Sequence, residues 1–101
     1  MDTATPPEDC QTMAQVRAGV DALDRALVAL FARRFAYMRA AARIKPERGM
    51  VRDEARKTAV IAAAGTEAER LGAPAERIAA LWEALVESSI AYELERWDAQ
   101  I

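Results

Sequence analysis

The sequence predicts an all-α fold: a three-helix protomer with a very long first helix, intertwined with a second copy as a homodimer. Three observations carry this. The 101-residue chain is rich in Ala, Leu, Arg and Glu, which are good helix formers. Runs of β-branched and aromatic residues of the kind that build strands are absent. Apolar residues recur at a 3-4 spacing between Pro and Gly punctuation. A hydrophobic fraction of 52% supplies one core, and an aromatic fraction of 6% means that core is made from small aliphatic side chains. The length allows one domain, read as an N-terminal extension over 1–11 and a helical domain over 12–98.

The first helix is expected from about Thr12, where "TMAQ" resembles a capping box, to about Lys45, where Pro46 and Gly49 stop it. Its stripe reads Met13, Val16, Val20, Leu23, Leu27, Leu30, Arg34, Tyr37, Ala41 and Ile44. Thirty-odd residues span roughly 50 Å, whereas a compact domain of this size is only about 33 Å across. The surplus stripe would face water unless a second copy covers it, hence the homodimer.

The second helix begins near Asp53, a suitable N-cap, and ends at Leu71-Gly72. The third starts at Pro74, suited to a first helical position, and runs to about Trp97. Its stripe reads Ile78, Leu81, Trp82, Leu85, Ser89, Tyr92 and Glu93. Two core-facing stripes therefore each carry an intruder: Arg34 in the first, Glu93 in the third. A buried guanidinium costs several kcal/mol unless an anion meets it. Either Glu93 answers Arg34 inside the protein, or a ligand does.

The composition narrows the chemistry. There is no histidine and one cysteine, Cys10, so a zinc site or a His-assisted nucleophile lacks materials and an intrachain disulfide is impossible. A net charge of −2 gives no global pull toward nucleic acid or an anionic membrane. The acidic opening has no signal-peptide pattern and no apolar run reaches membrane-span length, so a cytoplasmic protein is expected. What remains is Arg, Lys, carboxylates and hydroxyls. Arg34 and Lys45 are eleven residues apart, on nearly one helix face and about 16 Å along it. Arg17 is some 25 Å from Arg34, too far to serve the same small ligand in one chain but within reach across a dimer.

Taken singly, each residue has an ordinary structural account. Arg17 can pair with Asp21, Lys45 and Arg43 complement a helix C-terminus, and Ser89 can bond back to its own helix. Trp82 and Trp97 read as packing residues, and Cys10 as inert. On those accounts the protein is a non-catalytic helical dimer.

Taken together, the residues resemble a family. The carrying segments are "PEDC" (Pro7 to Cys10), "MAQVRAGVDALDRALVALFARR" (Met13 to Arg34), "IK" (Ile44-Lys45), "VRDEAR" (Val51 to Arg56) and "ESSIAYELERW" (Glu87 to Trp97). Over nearly its whole length the chain resembles the all-helical chorismate mutases, including the related isochorismate pyruvate lyases. The resemblance implies a cofactor-free enzyme binding a small dicarboxylate, chorismate or isochorismate. Arg34 and Arg56 would bind its carboxylates, with Arg17 contributed across the dimer interface. Lys45 would donate to the ether oxygen, Ser89 would sit near a carboxylate, and Asp53 would shape the pocket.

Two positions depart from the family. Glu93 stands where many relatives have Gln facing the ether oxygen, and it donates there only when protonated. The expectation is activity favouring the acidic side, broadened toward higher pH in Glu93→Gln. Lys57 stands where well-known mutases have a Glu that accepts the substrate's ring hydroxyl, and an ammonium cannot accept. The expected reaction is rearrangement of chorismate to prephenate, in the aromatic amino acid pathway. The alternative is elimination from isochorismate to salicylate and pyruvate.

Overall fold

A computed structural model of the protein describes residues 4–100. Its described residues form three α-helices, α1 (Met13–Ile44), α2 (Glu54–Arg70) and α3 (Ala75–Asp98), with single 3-10 turns at Pro7–Asp9 and Arg48–Met50. No strand occurs among them. The fold is all-α, as the helix-forming composition requires, and none of these helices is long and apolar enough to cross a membrane.

Local chemistry sets each boundary. At the start of α1, Thr12 Oγ1 accepts from the Gln15 backbone N–H at 3.2 Å, while Gln15 Oε1 accepts from the Thr12 N–H at 3.1 Å. This reciprocal exchange satisfies two donors that a helix start leaves open. Asp53 caps α2, its Oδ1 accepting from the Arg56 N–H at 3.0 Å. At the other end of α2, Gly72 adopts φ +73°, a conformation costly for any residue with a Cβ. That lets Ala73 N–H reach Ala68 O at 2.8 Å and Gly72 N–H reach Glu69 O at 3.1 Å, closing a Schellman motif. Pro74 stands one residue outside α3 rather than at its first position. Its ψ of 99° is extended, yet its carbonyl accepts from Ile78 N–H at 3.0 Å.

The chain divides into two compact units, Met1–Arg34 and Phe35–Ile101. In the first, the segment through the Pro7–Asp9 turn lies against the opening turns of α1. Thr5, Pro7, Cys10, Val16, Gly19 and Val20 line a cavity of about 320 Å³ there. From the edge of this cavity onward the α1 stripe is open: Leu23, Leu27 and Leu30 are 60%, 47% and 66% exposed.

In the second unit α2 and α3 pack together as an antiparallel pair. Val51, Val86 and Ile90 are buried, and Val60, Ile61, Trp82, Leu94 and Trp97 pack against them. Each such aliphatic burial is worth roughly 1.5–3 kcal/mol. The last turns of α1 are tied to α3 by Phe35 meeting Tyr92 edge-on, with ring centroids 5.1 Å apart. Arg39 also donates to the Tyr92 hydroxyl at 3.0 Å.

Candidate active site

The α3 stripe carries two polar residues into the core. Ser89 and Glu93 are buried, at 3% and 4% exposure, one helical turn apart and next to Val86 and Ile90. Ser89 Oγ donates to Leu85 O at 2.7 Å, the back-bond expected of a core-facing serine. Glu93 Oε2 accepts from Lys45 Nζ at 2.7 Å. The inward carboxylate is thus answered by Lys45, just past the end of α1. Burying a carboxylate demands such a partner, and a charge-assisted bond of this length is a strong one. Lys45 keeps about a quarter of its side chain exposed.

The opening turn of α2 gathers the other group. Asp53 is exposed, and its carboxylate serves the helix cap, holding the N–H of Arg56. The Arg56 side chain is exposed and borders a groove of about 580 Å³ along α2 and α3, floored by Val60, Ala64, Ala68, Ile78 and Trp82. Lys57 is turned to α3, its Nζ 2.7 Å from Glu83 Oε1 and 2.8 Å from Glu87 Oε2. Arg52 joins it: its guanidinium forks onto both Glu87 oxygens at 2.8 and 3.0 Å and reaches Glu54 at 2.9 Å.

This network moves proton affinities. Hydrogen bonds from Arg52 and then Lys57 hold the Glu87 carboxyl at about 2, against an ordinary 4.5. Hydrogen bonds to Glu83 and then Glu87 push Lys57 up to about 12 from 10.5. The bond to Glu87 likewise raises Arg52. Lys57 is therefore engaged by the protein's own acids, and its position joins α2 to α3.

Arg17 is exposed in the first unit, and Arg34, half-buried, is the last residue of that unit. The second unit brings together Lys45, Ser89 and Glu93 around the core face of α3, and Asp53, Arg56 and Lys57 on the first turn of α2. The acids Glu83 and Glu87 were missed in the sequence, although their i, i+4 spacing places both on one face of α3. Also missed was the role of Trp97 as a donor. Its indole Nε1–H donates to Lys45 O at 3.2 Å, a polar handle that its packing position concealed.

Comparison with known proteins places these residues in a family. The sequence profile of "Chorismate mutase type II" matches residues 16–94. A curated relative, the isochorismate pyruvate lyase of Pseudomonas aeruginosa, is 29% identical over 91 residues, covering 90% of this chain and 90% of its own. The match spans α1 from Val16 onward, all of α2 and α3 as far as Leu94, so the chain belongs to the chorismate mutase type II family.

Proposed function

We propose that the protein is a chorismate mutase, rearranging chorismate to prephenate without a cofactor. The observation that carries this is the Lys45 ammonium, held 2.7 Å from the buried Glu93 carboxylate on a side chain about a quarter exposed. In the rearrangement one C–O bond breaks as one C–C bond forms, with no net gain or loss of atoms, so no nucleophile or metal is required. The demands are to hold a dianion in a compact, chair-like shape and to stabilise charge on the departing ether oxygen.

Arg34 and Arg56 bind the substrate's carboxylates, for which the guanidinium fork is suited. Ser89 lies near a carboxylate, and Asp53 holds the α2 turn that presents Arg56. Lys45 donates to the ether oxygen, and Glu93, when protonated, donates to the same atom. Lys57 is engaged by Glu83 and Glu87.

The same reading includes a cytoplasmic homodimer in which Arg17 is contributed by the partner. The uncovered Leu23, Leu27 and Leu30 support it, since a contiguous apolar stripe favours a covering surface.

A second reading has a specific observation behind it. Similarity to an isochorismate pyruvate lyase over 90% of both chains, with the "PEDC" opening, favours elimination from isochorismate to salicylate and pyruvate. The experiment is to give the pure protein each substrate and follow prephenate and salicylate. Prephenate from chorismate sustains the first reading and salicylate alone selects the second. Turnover of neither, with no thermal stabilisation by a dicarboxylate transition-state mimic, leaves a non-catalytic helical dimer. Arg34→Ala is expected to abolish turnover.

A further inference from the structure

The end of α1 is unusual in what closes it. In a continuing helix the N–H of residue 46 would bond to the carbonyl of residue 42, but Pro46 has no N–H. The carbonyl of Ala42 is left to another donor, and Gln100 Nε2 supplies it at 3.0 Å. Three residues on, the carbonyl of Lys45 itself receives the Trp97 indole N–H at 3.2 Å. Donors from the end of α3 thus do what a C-terminal glycine motif does elsewhere.

We propose that Trp97 is a positioning residue for Lys45. Trp97 and Glu93 are four residues apart on α3 and so share one face. From that face α3 grips Lys45 twice: Trp97 holds its carbonyl, and Glu93 holds its ammonium at 2.7 Å. The Lys45 N–H donates to Ala41 O at 2.9 Å, and the following proline restricts its backbone. A lysine on a flexible four-carbon stem is thereby fixed at backbone and tip by one turn of a neighbouring helix. In activity terms this rests on the reading of Lys45 as the donor to the ether oxygen. The grip itself is a statement about Lys45 alone.

The chain has only two lysines, Lys45 and Lys57, which makes the test clean. Protein labelled with ε-¹³C lysine gives two signals, and Lys57, held by Glu83 and Glu87, is the internal control. Trp97→Phe keeps an aromatic ring, though a smaller one, and removes the donor. The expected result is a Lys45 signal that narrows and shifts toward free lysine, its two ε-protons becoming equivalent, with Lys57 unchanged. An unchanged Lys45 signal, or equal changes at both lysines, overturns the proposal. In turnover, Trp97→Phe should lower kcat about fivefold, the effect of one hydrogen bond, at little-changed KM and with the loss vanishing in a Lys45→Ala background. Gln100→Ala, which removes a cap bond but none to Lys45, should lower Tm while leaving kcat alone. Equal kcat losses in the two variants would also overturn it. If the wild-type protein converts neither substrate, the functional reading fails while the lysine spectrum still judges the grip. If Trp97→Phe does not fold, the wild-type Trp97 indole proton decides. It must be protected from solvent exchange, and an unprotected one refutes the contact.

Discussion

Lys57 Nζ lies 2.8 Å from Glu87 Oε2, joining the first turn of α2 to the middle of α3. Arg52 grips both oxygens of the same carboxylate, so one anion fixes two cations that flank the Asp53 cap in sequence. This arrangement makes the α2–α3 pair sensitive to pH in a defined window. The Glu87 carboxyl is depressed to about 2 from 4.5, so the folded state binds its proton less readily than the unfolded chain. Its contribution is present above about pH 4.5 and is lost as pH falls toward 2. Urea unfolding followed by circular dichroism across this range should show the wild type losing more stability than Glu87→Gln, the two curves converging near pH 2. Parallel curves would exclude the linkage. Lys57, raised to about 12, gives the opposite sign. Its contribution is full below about 10.5 and lost as pH rises through 12.

Removing the α2 cap tests a different link. The Asp53 carboxylate satisfies the Arg56 N–H at 3.0 Å, and Asp53→Ala should cost about 1 kcal/mol, whereas Asp53→Asn, which still accepts, should cost much less. Thermal melts of the two variants check this. Because Arg56 rides on the capped turn, the Ala variant should also raise KM.

Glu93→Gln keeps the shape of the side chain and gives it a permanent N–H donor. The expected outcome is turnover extended to higher pH than in the wild type, read from kcat/KM against pH. A profile identical to that of the wild type would remove Glu93 from the chemistry and leave it as the structural partner of Lys45.

The open stripe of α1 predicts self-association. Leu27→Glu combined with Leu30→Glu places charge on positions that are 47% and 66% exposed in the single chain, so the effect on folding of the protomer should be small. Sedimentation should find the wild type dimeric and the double variant monomeric. If Arg17 acts across the interface, turnover should disappear with the dimer. A monomeric wild type with full activity would contradict both.

The sequence by itself determined the elements and their ends. Helix boundaries here follow from local chemistry, namely the "TMAQ" box, the Asp53 cap, the positive φ of Gly72 and the missing N–H of Pro46, and such signals are written in neighbouring residues. It also exposed the inward carboxylate at Glu93, because a charge on an apolar stripe is visible from spacing alone. That Lys45 meets this carboxylate was decided by tertiary structure. Arg34 and Lys45 lie eleven residues apart on nearly one helix face, and only the packing of α3 against the end of α1 brings Lys45 to 2.7 Å from Glu93. The same holds for Lys57 with Glu83 and Glu87, and for Trp97 on the carbonyl of Lys45. These contacts join residues 26 to 52 positions apart. No periodicity reports which side chains meet across a helix interface, because that depends on the rotation and slide of one helix against another.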